Sequence, residues 1–186
     1  MVRQCVEKGS SFGIVLIDDG KLADTGCEVG VTSMTNEQPT GEFDITVEGK
    51  RRFKLGAISN KDEYLSVEAL WKQDEYPELE SERIAHAQAL ERLITQHMKL
   101  LELAGRTVRP HMYEGDKDIS FVIAHNSGMT AEQKQFLLDT DKVSTRVSFL
   151  TNHLQKFISR VEQFGDFRKK ISSDGHFRDF PPEIDA

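Results

Sequence analysis

The chain has 186 residues, which is enough for one ordinary domain or for two small subdomains that share a boundary. Its formal net charge of -7 disfavours general attraction to polyphosphate or anionic membrane surfaces, although a local basic stripe is compatible with it. The two cysteines, Cys5 and Cys27, are too few for a disulfide framework or a four-cysteine zinc site, so we expect reduced, partly buried thiols and a cytoplasmic protein.

A helix and a strand are the first predicted elements. Three apolar side chains at helical spacing, with no cap before them, predict that the chain begins inside a helix: Val2, Cys5 and Val6. The run 12–17 is continuously apolar, and Asp19-Gly20 closes it with a residue pair typical of a tight reversal. This pattern predicts a central strand that is buried on both faces and is followed by a hairpin.

Two further strands, separated by a turn at NEQPTG (36–41), are predicted next. Alternation around Val29 predicts a strand with one wet face. In the following strand the apolar side chains share one parity, and they are Phe43, Ile45, Val47, Phe53 and Leu55. Gly49 interrupts this pattern, so we expect a bulge or sharp bend, at which the strand turns a barrel corner.

Four basic residues of this strand lie within five positions of one another: Lys50, Arg51, Arg52 and Lys54. Such a cluster suits a nucleic-acid or phosphate site, or else the solvated face of a strand. The alternation of charged with apolar residues favours the solvated face, with Glu48 and Glu68 as candidate partners. We therefore expect most of the basic cluster to be outer surface.

The segment YLSVEALWK predicts a fourth strand whose apolar side chains share one face: Leu65, Val67, Ala69 and Trp71. This shared parity favours a core position for Trp71. A binding surface is the alternative, because aromatic side chains on a sheet can stack on bases or hold apolar peptide groups.

Helical periodicity replaces alternation after about residue 80. From Ser81 to Gly105, the spacing predicts a long amphipathic helix with the stripe Ile84, Ala87, Leu90, Ile94, Met98 and Leu101. DISFVIAHNSG predicts a short helix, and Thr130 with Gln133 is a capping-box pair that opens another. The last helix has the stripe Val143, Val147, Leu150, Leu154, Ile158 and Val161. We expect a β-rich subdomain at 1–79, a helical subdomain at 80–162 and a polar flexible tail at 163–186.

No motif for catalysis or cofactor binding occurs in the sequence. It has no G-x-x-x-x-G-K-[ST] phosphate loop, no H-E-x-x-H zinc motif and no G-x-S-x-G nucleophile turn. The histidines, His97 among them, are not at metal-ligand spacing, and we expect them on helix surfaces or loops. No stretch approaches the roughly 18 apolar residues of a membrane span, and the first residues lack the apolar core of a signal peptide. We expect a soluble, noncatalytic protein without metal or cofactor.

Four stretches, in this order, resemble the amino-terminal substrate-binding domain of Lon proteases, and more closely the small standalone proteins that consist of that domain. RQCVEKGSSFGIVLI resembles the helix end and first long strand, and GEFDITVEGKRRFKL resembles the G-x-x-x-[IV]-x-V-x-G-x-x-R-[FY] strand pair. YLSVEALWKQDE resembles the next strand with its acidic exit. FVIAHNSGMTAEQKQFLLDTDKVSTRVSFLTNHL resembles the paired terminal helices.

The resemblance implies an α+β fold, with a twisted PUA-like pseudo-barrel β subdomain followed by a helical-bundle subdomain. It also implies a noncatalytic module that binds protein or unfolded polypeptide segments, without the ATPase and peptidase modules of complete Lon. The candidate binding surface comprises Lys50, Arg51, Arg52, Lys54 and Trp71. The alternative is an RNA-binding module that uses Lys50–Lys54, because PUA-like barrels include RNA binders.

One departure from the family pattern affects the sheet. Family members usually begin with a strand and a proline-rich loop, and this chain begins after them, so we expect one sheet edge to be open and prone to self-association. Three sources of a substitute strand are considered: upstream residues, the phenylalanine-containing tail and a second copy of the chain. Because the first residues resemble the middle of a helix, upstream residues are the expected source.

Overall fold

The structure is a computed structural model that describes residues 1–60, 64–114 and 118–173, with side chains up to residue 164. The chain divides into two compact units, Met1–Asp74 and the residues from Glu75 onward. An antiparallel sheet makes up most of the first unit and helices make up the second, so the predicted α+β class is confirmed. Among the described helices, none is long and apolar enough to cross a membrane.

The first unit contains helix α1 (Val2–Lys8) and four strands: β1 (Phe12–Asp18), β2 (Lys21–Thr35), β3 (Asp44–Ser59) and β4 (Ser66–Trp71). The strands pair antiparallel in chain order, so β1 and β4 are the two edges of the sheet. Asp19 and Gly20 join β1 to β2 with φ values of 45° and 73°. Two consecutive positive φ values match the twist of a tight hairpin, and the predicted reversal is confirmed.

The register of β3 on β2 shifts at the predicted bend. Gly49 pairs with Val29 and Arg51 pairs with Glu28, which leaves Lys50 as an extra residue in β3. The predicted bulge is therefore confirmed. Gly49 is not among the positive-φ glycines of the described chain. The extra residue accommodates the bend, and Gly49 keeps an ordinary strand conformation.

Residues 12–17 do not form the predicted central strand. They lie in the edge strand β1, where Ile14 and Ile17 are 46% and 64% exposed. An unbroken apolar run indicates low polarity but does not specify the position of a strand in its sheet. The buried aromatic of this unit is Phe53 of β3, whose ring lies over Gly26 of the neighbouring β2 and reaches Gly13 of β1.

The second unit contains α2 (Glu80–Leu103), a short 3-10 helix (Pro110–Tyr113), α3 (Ile119–His125), α4 (Ala131–Asp139) and α5 (Val143–Ser173). The predicted helix ends are confirmed: Gly105 has a φ of 66° beyond α2, and Thr130 and Gln133 form the complete capping box of α4. Helix α5 continues to Ser173, so the tail boundary predicted at residue 162 falls inside this helix.

The core of the second unit follows the predicted stripe of α5 closely and that of α2 only in part. Val147, Leu150 and Leu154 are at most 1% exposed. Ile84, at the start of the predicted α2 stripe, is 53% exposed, because α2 is buried only along its second half. The buried residues of α2 are Leu93, His97, Leu100 and Leu101.

Candidate functional site

The sheet separates the four residues of the basic cluster. Arg51 and Arg52 pair with consecutive residues of β2, so their side chains leave the sheet on opposite faces. The Lys50 Nζ atom donates a hydrogen bond to the Ser11 hydroxyl over 3.0 Å, while Lys54 is exposed. The cluster is therefore not a single basic patch.

Arg51 is held between a carboxylate and an aromatic ring. Its Nε donates to Glu28 Oε2 over 2.8 Å, and its guanidinium carbon lies 3.7 Å from the centre of the Trp71 ring. The hydrogen bond from Arg51 lowers the pKa of Glu28 below its usual value. The charge of Arg51 is thus matched by Glu28 from the neighbouring strand. The partners expected from the sequence were Glu48 and Glu68.

Arg52 contradicts the prediction of a solvated basic face. It is 7% exposed, and its Nη2 donates to Asp74 Oδ1 over 2.6 Å. A buried guanidinium requires a paired carboxylate, because an isolated buried charge is strongly destabilising. Asp74 meets that requirement, and Arg52 is a structural residue rather than a member of an exposed site.

Trp71 is not the core residue that its parity favours. It is 47% exposed, and its ring makes an edge-to-face contact with buried Phe53 at a centroid distance of 6.1 Å. The β3–β4 register aligns Phe53 with Trp71, Leu55 with Ala69 and Ile58 with Val67. Paired residues share a face, so Trp71 lies at the end of an apolar row across both strands.

The exposed part of this row forms a continuous apolar surface, which we call the β3–β4 strip: Ile58, Leu65, Val67, Ala69 and Trp71. Both ends are open to solvent: Ile58 and Leu65 are 51% and 59% exposed at one end, and Trp71 is 47% exposed at the other. Val67 and Ala69, between them, are half-buried. Arg51, which is paired with Glu28, lies against Trp71 and gives the strip a polar border. An exposed apolar patch with a polar rim is typical of an interaction surface.

The described residues also include potential metal ligands and two cysteine thiols. Within the described ranges, no group of three or more histidine, cysteine, aspartate or glutamate side chains is placed to hold a metal ion. Cys5 and Cys27 are free and half-buried, as expected, and burial raises the pKa of the Cys27 thiol, which favours its unreactive protonated form.

A model of the ATP-dependent protease La (LON) substrate-binding domain matches residues 1–156. The chain belongs to this family. It is similar to a Lon N-terminal domain protein from Xanthomonas campestris, with 29% identity over 80% of this chain and 79% of that chain and a TM-score of 0.52. It shares its fold with the N-terminal domain of the Mycobacterium avium complex Lon protease, with 19% identity, coverage of 82% and 80%, and a TM-score of 0.57. No significant match was found among curated proteins.

The resemblance of the four sequence stretches to the Lon substrate-binding domain is therefore confirmed. Two residues of the site region were not predicted: Glu28, which binds Arg51, and Asp74, which binds Arg52. The signal for Glu28 was present, because it lies on the polar side of an alternating strand. Its partner depends on the strand register, which a bulge at Lys50 shifts by one residue.

Proposed function

We propose that this Lon-type domain is a noncatalytic module that binds extended apolar segments of polypeptides on the β3–β4 strip. The observation that carries the proposal is the family match, which is to a substrate-binding domain and not to a catalytic domain. The strip is the part of the sheet unit that suits this role, because its exposed apolar side chains lie along two adjacent strands. An extended peptide can align with such a row and place alternate side chains against it.

Trp71 is the proposed anchor of the strip. Its ring is fixed on one side by the edge contact with Phe53 and is covered in part by the Arg51 guanidinium. A ring that is already held loses little conformational entropy when a ligand packs against its free surface. Half-exposed, rigid aromatic residues contribute a large share of the energy at protein interfaces.

RNA binding through the basic cluster has less support. Arg51 is paired with Glu28 and Arg52 is paired with Asp74, so two of the four cations are already compensated by carboxylates. The net charge of -7 adds a general repulsion of phosphate. Binding of an apolar polypeptide segment does not require uncompensated positive charge, so the structure is more compatible with it than with RNA binding.

Peptide binding is tested with the protein's single tryptophan, Trp71, as the reporter. The probe is a synthetic peptide of alternating leucine and serine residues, and the control peptide has glycine in place of leucine. We expect the leucine peptide to shift the Trp71 emission to shorter wavelength, because it removes water from a ring that is 47% exposed. The glycine peptide should produce no shift.

Variants locate the site through the anisotropy of a labelled leucine peptide. Trp71→Ala and Leu65→Ser should each weaken its binding by about tenfold or more, which corresponds to about 1.4 kcal/mol. Ile84→Ser is the matched control, because Ile84 is 53% exposed on a helix of the second unit. Equal binding of both peptides, or unchanged binding by the Trp71 and Leu65 variants, contradicts the proposal.

A labelled single-stranded RNA, titrated at low and high salt, tests the alternative. We expect no binding that weakens with salt. Salt-sensitive binding that is lost in Lys54→Ala would instead favour the RNA-binding module.

A further inference from the structure

The outer edge of β1 is an unprotected pairing surface. Among the described residues, β1 pairs only with β2, so its other side presents backbone N–H and C=O groups without a partner strand. The segment GSSFGIVLI at residues 9–17 contains no proline and no charged residue. Soluble proteins usually protect sheet edges with such residues, and Ile14 and Ile17 are instead largely exposed here.

The two ends of β1 carry opposite charges. At its beginning, Lys8 closes α1, and Lys50 Nζ donates to the hydroxyl of Ser11 over 3.0 Å. At its end stand Asp18 and Asp19, and Lys21, opposite Asp18 in the hairpin, offsets only one of these two carboxylates. Glu7 offsets one of the two lysines at the beginning, and Glu28, which lies near Lys50 and Ser11, is paired with Arg51. The edge is thus an apolar strand with a small excess of positive charge at its beginning and of negative charge at its end.

We propose that a second copy of this chain pairs with β1 through its own β1, in an antiparallel arrangement around a two-fold axis. Antiparallel pairing places the beginning of each strand beside the end of the other, so Lys8 and Lys50 of one copy lie near Asp18 and Asp19 of the other. The same contact occurs twice, as the symmetry of an isologous dimer requires. Parallel pairing would bring like charges together, and a peptide of arbitrary sequence would leave the charges at both ends unmatched.

The first experiment measures association of the full 186-residue chain by analytical ultracentrifugation over a range of concentrations. We expect a monomer–dimer equilibrium, and Ile14→Lys should weaken dimerisation by about tenfold or more because it places a cation in the middle of the shared edge. Ile58→Lys is the matched control, since Ile58 is 51% exposed but lies on β3. A chain that is monomeric at every soluble concentration, or an Ile14 variant that dimerises as strongly as the parent, overturns the proposal.

A charge-swap experiment tests whether the charges at the two ends of β1 form contacts between the copies. One variant combines Asp18→Lys with Asp19→Asn and makes both ends of β1 positive, and the other combines Lys8→Glu with Lys50→Glu and makes both ends negative. Each variant alone should be largely monomeric, whereas an equimolar mixture should form a heterodimer, because unlike ends then meet at both positions. Circular dichroism checks that both variants are folded. Two folded variants that do not associate on mixing, or that each dimerise alone, contradict the arrangement.

The two lysine variants also distinguish this proposal from peptide binding. Ile14→Lys should lose dimerisation and keep its affinity for the leucine peptide, and Ile58→Lys should show the reverse pattern. Loss of both properties in either folded variant would show that dimerisation and peptide binding share one surface, which overturns dimerisation through β1.

Discussion

His97 is a fully buried histidine, not the surface residue expected from its sequence context. Its Nδ1 lies 2.8 Å from the Tyr113 hydroxyl, and its Nε2 has no hydrogen-bond partner among the described residues. Burial lowers the pKa of His97 below its ordinary value of 6.5. As the pH falls below about 6.5, His97 is therefore protonated in the unfolded chain before it is protonated in the folded chain, and this difference favours unfolding.

We predict that the helical unit loses stability as the pH falls from 7 to 5.5, with a contribution from His97 of up to about 1.4 kcal/mol per pH unit. Urea titrations at both pH values, followed by the helical circular dichroism signal, measure this loss. His97→Gln should reduce the pH dependence, whereas the exposed His125→Gln should leave it unchanged. A His97 variant with the pH dependence of the parent would show that other groups cause the effect.

Arg146 is a second polar residue whose burial the periodicity of its helix did not predict. It is fully buried, its Nη2 pairs with Asp118, its Nε donates to Ser120 Oγ over 3.1 Å, and its Nη1 donates to the Thr140 carbonyl over 2.7 Å. The guanidinium thus joins the first residues of α3 to the segment that precedes α5.

We predict that Arg146→Ala destabilises the helical unit by about 3–5 kcal/mol, because it removes a fully buried guanidinium with its hydrogen bonds and leaves the partly buried Asp118 carboxylate without its cation. Arg160→Ala, an exposed arginine of the same helix, should change stability by less than about 0.5 kcal/mol. Unfolding in urea measures both effects. Similar stabilities for the two variants would mean that Asp118 finds water or another partner.

Among single residues, the apolar core positions of α5 could be predicted and the polar core positions could not. Leu150 repeats the period of α5, so its burial follows from its own helix. Arg146 lies on the same helix, but its carboxylate and carbonyl partners come from segments distant in the sequence. A polar residue is buried only where such partners meet it, and periodicity carries no information about them.

At the scale of elements, the glycines of the sheet make a matched pair for a stability test. A Cβ at Gly26 would lie 2.7 Å from the Phe53 ring and 2.8 Å from the backbone oxygen of Ile14. A Cβ at Gly49 would meet only the Cys27 sulfur, at 3.2 Å. Neither glycine has a positive φ, so steric contact is the difference between them.

We predict that Gly26→Ala destabilises the sheet unit by about 1–3 kcal/mol, because neither Phe53 nor the β1 backbone has space to move. Gly49→Ala should cost less than about 1 kcal/mol, since a single half-buried side chain can shift. Unfolding followed by Trp71 fluorescence reports both. A larger cost at Gly49 than at Gly26 would contradict this account of the bulge.

Those helix boundaries that have a local signal could be predicted. The capping box of α4 involves two residues three positions apart, and the end of α2 depends on Gly105 alone. The position of β1 at the sheet edge depends instead on which strands pair. The exposure of Trp71 has the same origin, because alternation predicts a shared face but not what covers it.

At the scale of the whole molecule, the two units differ in the size of their apolar cores. Among the described residues, Val29 and Phe53 are the only buried apolar residues before Glu75, and every other member of the buried apolar set belongs to the helical unit. Burial of apolar area is the main stabilising contribution to folding. The sheet unit should therefore be the less stable of the two.

We predict that the chain unfolds in two steps, with the sheet unit unfolding at the lower urea concentration. Trp71, the single tryptophan, reports the sheet unit by fluorescence, while circular dichroism reports mainly the helices of the second unit. Because the two signals follow different units, their transitions should have different midpoints. Phe53→Ala should lower only the fluorescence midpoint, and Leu150→Ala should lower only the dichroism midpoint. Each change should reduce the free energy of unfolding of the unit concerned by about 2–5 kcal/mol. Coincident transitions in the parent and in both variants would mean that the two units fold as one cooperative structure, whatever the difference between their cores.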